Sequence, residues 1–173
     1  MAAQTCLCLL TRDGSPHGPE VLLGYKKRGF GLGKVVGLGG HVEAGESPVA
    51  AAVREVAEEA GVVVEPADLT LAAVVEFRFP ARPAWDMHVV VFTAGRWRGE
   101  PAVSDEIAPA WYPARALPLE RMWDDARYWL GRVLAGERLR AQLVYDDACE
   151  RVARARLLPL RSACAGHEGP AQA

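Results

Sequence analysis

An α/β fold, a sheet with amphipathic helices packed on it, is predicted by three features of the sequence. Residues 48–60 and 119–134 carry apolar side chains at helical spacing. Short runs rich in β-branched and aromatic residues lie before, between and after them. Half of the 173 residues are apolar, enough for one full core, so a single domain is expected over residues 1–160.

Taken in order, residues 5–10, TCLCLL, read as a strand and TRDGSPHGPE as a turn; residues 20–25, EVLLGY, return to make a hairpin. Residues 26–46 hold seven glycines, which suits a loop whose backbone lies close to a ligand. Lys26, Lys27 and Arg28 open it with three positive charges. Ser47-Pro48 is a helix start: the serine oxygen accepts from a free first-turn N–H, and proline there loses no bond. Gly61 is the stop. Val49, Ala52, Val53, Val56 and Ala60 make the apolar face, and Glu55, Glu58 and Glu59 the opposite one.

After the helix, GVVVEP (61–66) and DLTLAAVVEFRF (68–79) read as strands, with Phe77 and Phe79 on one face. MHVVVFTA (87–94) is apolar on both parities and is predicted in the middle of the sheet, with His88 as a hydrogen-bonded core residue. Residues 102–113 read as a turn leading into a strand end at Trp111 and Tyr112. The second helix, residues 119–134, presents Met122, Ala126, Trp129, Leu130, Val133 and Leu134 to the sheet and ends at Gly136. Residues 139–145 and 152–158 add two strands, and a disordered tail is expected from residue 161.

The formal charge of −2 carries no basic footprint for long nucleic acid, so a small substrate is expected. Cysteines 6, 8, 149 and 164 show no metal-binding spacing and read as reduced thiols. No run approaches the roughly 18 apolar residues of a membrane span, and no leader pattern opens the chain. A soluble cytoplasmic protein is the expectation; oligomeric state is open.

The helix at residues 48–60 carries the chemistry. Glu55 and Glu59 are four apart and project from successive turns, Glu58 lies beside them, and Glu46 arrives from the preceding loop. Like charges at this spacing repel by a few tenths of a kcal/mol per pair, roughly. A hard divalent ion reverses the sign, since Mg²⁺ takes carboxylate oxygens together with waters and substrate phosphates. Read without the spacing, the same glutamates describe a solvated acidic face with Arg54 paired to Glu58.

The spacing decides. Gly40, Glu46, Arg54-Glu55-Val56, Glu58-Glu59 and Gly61-Val62 occupy every fixed position of the Nudix box, and the chain resembles a Nudix hydrolase. That resemblance implies an α/β/α sandwich with a mixed, curved sheet between helices, and cleavage of nucleoside diphosphate linkages. It implies Mg²⁺, with Mn²⁺ as substitute, held chiefly by Glu55 and Glu59. Glu58 is then a further ligand or base, Glu46 a supporting carboxylate, Arg54 an orienter of the glutamates and the Gly39 carbonyl a ligand. Glu106, in the loop before an aromatic strand, stands as base or extra ligand, and Lys26 or Arg28 as the contact to phosphate.

Outside the box, VLLGYKKRGFGLGKVVGLGGHVEAGE, WDMHVVVF, VSDEIAPAWY and RMWDDARYWL are similar in order and spacing to the oxidised purine nucleoside triphosphatases, which remove 8-oxo-dGTP and 2-hydroxy-dATP. The resemblance implies hydrolysis of a purine triphosphate to monophosphate and pyrophosphate. It implies a base pocket of Trp123, Phe77 or Phe30, Val36 and Asp125-Ala126. Val36 stands where that branch has asparagine, and Ala126 removes one carboxyl of an aspartate pair, with Asp124 one residue earlier as the available substitute. A pocket lacking buried polar partners discriminates less. Other nucleotides, among them a pyrimidine triphosphate, a dinucleoside polyphosphate or a nucleotide sugar, are the alternative substrates. A Nudix-shaped binding module is the alternative without catalysis, although such proteins usually lose box glutamates and this chain keeps all of them.

Overall fold

The computed structural model describes residues 2–16 and 18–160. Eight strands form one mixed sheet: β1 (Ala3–Ser15), β2 (Gly18–Lys26), β3 (Val35–Val36), β4 (Thr70–Arg78), β5 (Met87–Ala94), β6 (Ile107–Pro113), β7 (Leu139–Tyr145) and β8 (Val152–Pro159). Their order is β3-β2-β1-β5-β4-β7-β8, with β6 on β2. The pairings of β1 with β5 and of β4 with β7 are parallel, and the others antiparallel.

The long strand β1 joins two halves. Ala3 to Leu10 pair with β5, whereas Thr11, Arg12 and Ser15 pair with β2 in the expected hairpin. Alternation along β1 sends Cys6, Cys8 and Leu10 to one side and Leu7 and Leu9 to the other. Helix α1 (Pro48–Ala60) covers the first side with Ala51, Ala52, Val56 and Ala60; helix α2 (Ala126–Leu134) covers the second with Ala126, Trp129, Leu130 and Val133. The expected sandwich is therefore present. Strand β5 lies between β1 and β4 with Val89 and Val91 in one core and Phe92 and Ala94 in the other, as its two-sided apolarity predicts.

Two expectations are corrected. GVVVEP is not a strand: Val63 makes one isolated bridge with Arg98, and Pro66, lacking an N–H, opens a short 3₁₀ turn instead. Val62 and Val64 are buried all the same. The second helix does not begin at residue 119. A 3₁₀ turn spans Leu119–Arg121, Met122 is extended, and the α-helix starts at Ala126. Side chains of the intervening aspartates compete with the helix for hydrogen bonds. Asp124 Oδ2 accepts from the Val152 N–H at 2.9 Å, while Asp125 Oδ1 accepts from the Tyr145 hydroxyl at 2.6 Å and Oδ2 from the Trp129 indole at 2.8 Å. These bonds draw the segment onto β7 and β8. Among the described residues no helix is long and apolar enough to cross a membrane. The expected tail from residue 161 lies outside the described residues.

Burial pushes the Asp125 carboxyl pKa up, against the hydrogen bonds of Trp129 and Tyr145. A folded-state pKa above the unfolded value of about 3.9 means that stability is highest below that value and declines as pH rises toward the folded one. Asp125→Asn keeps an acceptor and a donor in place without the buried charge. In urea titrations it should gain stability relative to the wild type as pH rises above the unfolded value; losing ground with rising pH would contradict the assignment.

Candidate active site

The glycine-rich segment after β2 is laced to β1 and wedged beneath α1. Cys6 N–H donates to the Gly40 carbonyl at 2.9 Å, Cys8 N–H to Leu38 at 2.8 Å, and Val42 N–H to Gln4 at 2.9 Å. At Gly39, with φ +148°, a Cβ would collide with the Cys6 carbonyl; at Gly40 it would collide with the Glu55 carboxylate. At Gly39 only glycine lets this backbone pass between strand and helix, whereas a side chain at Gly40 would displace the Glu55 carboxylate.

The helix above is set by its ends. Ser47 Oγ accepts from the Ala50 N–H at 3.1 Å, and Gly61 closes α1 in the left-handed region at φ +70°. Side-chain exposures then separate the three helix glutamates, which the sequence placed on one face: Glu58 61 %, Glu55 14 % and Glu59 3 %.

Arg54 gathers the exposed part of the cluster. Its Nε and Nη2 donate to the two oxygens of Glu46 at 3.0 and 2.9 Å. Nη1 reaches Glu55 at 2.9 Å and Glu58 at 3.2 Å, and Nη2 also donates to the His41 carbonyl at 3.0 Å. The fork geometry is one that arginine alone supplies. It holds the Glu46 carboxyl below the usual range and raises the Arg54 pKa.

Glu59 is held from the other side. Lys26, the last residue of β2, donates from Nζ to Glu59 Oε1 at 2.8 Å, and the Gly39 N–H donates to Oε2 at 2.9 Å. Burial pushes the Glu59 carboxyl up more than these donors lower it. Burial alone would lower Lys26, but its bond to Glu59 and the charges of Glu59 and Glu106 leave it raised. Glu106 Oε2 lies 3.5 Å from Lys26, and its Oε1 accepts from Arg28 at 2.9 Å, which lowers its pKa.

Arg28, Glu55, Glu58, Glu59, Ser104, Asp105 and Glu106 line one cleft of about 420 Å³. Among the described residues no three acidic, histidine or cysteine side chains are drawn into a ready metal cage, and Arg54 and Lys26 pair with the carboxylates instead. By type the donors suit a hard divalent cation: the five carboxylates of Glu55, Glu58, Glu59, Asp105 and Glu106 line one space and no soft ligand lies among them.

A second cluster lies along the same loop. Phe30 stacks on Trp123 with ring centroids 5.1 Å apart and an interplanar angle of 15°, and meets Trp85 edge-on at 5.2 Å. Lys34 Nζ sits 4.6 Å from the Trp123 ring centre, and a Cβ at Gly31 would touch both Trp123 and Val36. Of the two phenylalanines expected at the base it is Phe30 that meets Trp123, whereas Phe77 is buried in the core beneath α2. Asp124 is committed to Arg127 and the Val152 N–H, and Asp125 to Trp129 and Tyr145. Trp85 and Lys34 reach the cluster without a periodic signal in the sequence. Trp85 lies in a proline-opened 3₁₀ turn, Pro83–Trp85, where no periodicity marks an aromatic as different from a loop residue.

A sheet sandwiched between two helices, with a glutamate-lined cleft at the mouth of a glycine loop, defines a fold and site for chemistry on phosphates. Residues 2–133 match the family described as the NUDIX domain, and the chain belongs to the Nudix family, whose hydrolases use divalent metals. It is 42 % identical over 119 residues to the zebrafish (Danio rerio) protein named oxidized purine nucleoside triphosphate hydrolase, covering 69 % of this chain and 74 % of that one. The mouse (Mus musculus) protein of the same name is 35 % identical over 128 residues, covering 74 % and 80 %. Among solved structures, a MutT protein of Bacillus halodurans superposes with a TM-score of 0.72 at 22 % identity, over 90 % of this chain and 97 % of that one. A MutT NUDIX hydrolase of Burkholderia pseudomallei gives 0.59 at 30 % identity, over 68 % and 88 %.

Arg54→Lys keeps a positive charge but cannot bond Glu46, Glu55 and Glu58 together. Its kcat should fall by about 10- to 100-fold, the usual cost of losing a group that orients ligands, with circular dichroism unchanged. Near-normal turnover would show that the glutamates are placed without it.

Proposed function

We propose that the protein hydrolyses purine nucleoside triphosphates, oxidised ones among them, to the monophosphate and pyrophosphate, with Mg²⁺ as its preferred cation and Mn²⁺ as a substitute. The observation that carries this reading is the loop from Lys26 to Val36. It brings Lys26 and Arg28 to the glutamate cleft, and two residues further on it lays Phe30 against Trp123, within roughly 7 Å of chain. A cleft for phosphates and an aromatic surface for a base are thus joined by one short segment. The curated relatives of the same name support the substrate class.

Glu55 and Glu59, with the Gly39 carbonyl and with Glu58 as a further ligand or the base, would hold the cation, which supplies charge neutralisation on the phosphate oxygens and a lowered pKa for bound water. Arg28 and Lys26 lie where the triphosphate tail would enter, and either can bond a phosphate oxygen. As water attacks phosphorus, an O–P bond forms, the bridging O–P bond between the monophosphate and pyrophosphate portions breaks, and one proton must be taken up. Glu58 is the best placed acceptor, being the most exposed of the helix carboxylates and held only by its 3.2 Å contact to Arg54. Glu106 is the weaker base, because Arg28 lowers its pKa. Glu46 acts through Arg54 rather than on substrate.

Selectivity should be modest. Val36 offers no hydrogen bond at the aromatic cluster, and the carboxylates of Asp124 and Asp125 are engaged within the fold. Aromatic faces bind purines by area and stacking, which tolerates changes at the base edge.

Pyrophosphate release from 8-oxo-dGTP, 2-hydroxy-dATP, dGTP and dCTP tests the substrate class: the oxidised purines should rank at or near the top, and about a tenfold preference for dCTP would sink the proposal. For the cation site, Glu59→Gln and Glu55→Gln should each lower kcat by orders of magnitude at saturating Mg²⁺ while the protein stays folded. A Glu59→Gln enzyme with near-normal turnover would remove Glu59 from the ligand set.

A further inference from the structure

We propose that the Lys26 ammonium is a built-in stand-in for the divalent cation: it neutralises the buried Glu59 carboxylate in the cation-free protein and swings to the phosphate side of the cleft when a cation takes that carboxylate. The inference rests on the reading of Glu59 as a cation ligand.

Glu59 has neither oxygen free. Oε1 faces the Lys26 ammonium at 2.8 Å and Oε2 the Gly39 N–H at 2.9 Å. A divalent ion bound to this carboxylate and an ammonium on its Oε1 would be two cations a few ångströms apart in a poorly solvated seam, where their repulsion is strong. They exclude one another. Yet a carboxylate this buried needs a partner at all times, since an unpaired charge away from water is strongly destabilising. The lysine meets that need whenever no metal is bound.

The displaced ammonium has somewhere to go. Glu106, on the cleft wall and far more exposed, already lies 3.5 Å from Lys26 Nζ. The Lys26 backbone does not have to follow, because its N–H donates to the Lys34 carbonyl and its carbonyl accepts from the Gly33 N–H, each at 2.9 Å. The movement is confined to a flexible four-carbon stem ending in a point charge. Lys26 thereby passes from an internal counterion to a phosphate contact, so cation binding and triphosphate binding favour one another, and the coupling is reciprocal.

The test is Mn²⁺ binding without nucleotide, read from the electron paramagnetic resonance signal of the free ion at pH 8, for the wild type and Lys26→Met. Removing the competitor should tighten Mn²⁺ binding by about tenfold, the scale of one hydrogen bond to a charged group. Unchanged or weaker binding in the variant, with normal binding in the wild type, overturns the stand-in role and leaves the ligand assignment intact. No Mn²⁺ binding by the wild type overturns both. Where Lys26→Met fails to fold, the wild type decides through the acylation rate of Lys26, read by peptide mass spectrometry. That rate should rise severalfold on saturation with Mg²⁺, and an unchanged rate overturns the proposal.

Discussion

Everything in the catalytic half of this molecule follows from a carboxylate placed where water scarcely reaches. Glu59 is the one buried acid of α1, and removing the partner of a buried ion pair typically costs about 3–5 kcal/mol. The fold answers with two donors from different elements: the Lys26 side chain from the end of β2 and the Gly39 backbone from the loop. To deliver the second, the loop must run in contact with β1 and beneath α1, which requires the absence of a side chain at Gly39, while one at Gly40 would push the Glu55 carboxylate aside. The glycine-rich approach and the acidic helix are thus one structural solution.

The other glutamates of the cluster are organised on a different principle. Arg54 ties Glu46, Glu55 and Glu58 to one guanidinium and anchors it on the His41 carbonyl. In water each such pair contributes little, about 0–1 kcal/mol. Their value lies in position: Glu55 and Glu58 are held on the cleft wall despite their mutual repulsion, with Glu46 bracing the guanidinium. The site therefore has an inner acid fixed by desolvation and an outer group fixed by a shared cation, which adapts more readily to an incoming ligand.

Much of this was legible in the sequence. Strands with alternating or two-sided apolarity, such as residues 87–94, were recognisable from period alone, and the α1 limits followed from Ser47-Pro48 and Gly61, whose effects are local. The box spacing located the glutamates, but not their unequal burial, because periodicity assigns a face and not the height of the neighbouring loop. GVVVEP failed as a strand because pairing depends on a partner that sequence does not reveal, and only Arg98 offers one bridge. The start of α2 failed because Asp124 and Asp125 bond to β7 and β8, and those contacts are long-range. Lys34 and Trp85 met Trp123 and Phe30 through turns, without any periodic signal.

The aspartates also explain why the aromatic cluster differs in kind from the glutamate cleft. A carboxylate near a base can read donors on its edge only while its own oxygens are unspent. In this chain Asp125 uses both oxygens to pin α2 to β7, and Asp124 pins the same turn to β8, so the segment carrying Trp123 is rigid but has little polar capacity left. With Val36 opposite, what remains near Trp123 is aromatic area and the Lys34 charge. Such a surface senses the size and flatness of a ring better than its substituents. On the proposed function, chemical discrimination would therefore be concentrated at the phosphate end, where the glutamates, Arg28 and Lys26 would distinguish a metal-bound polyphosphate from other anions by charge and geometry together.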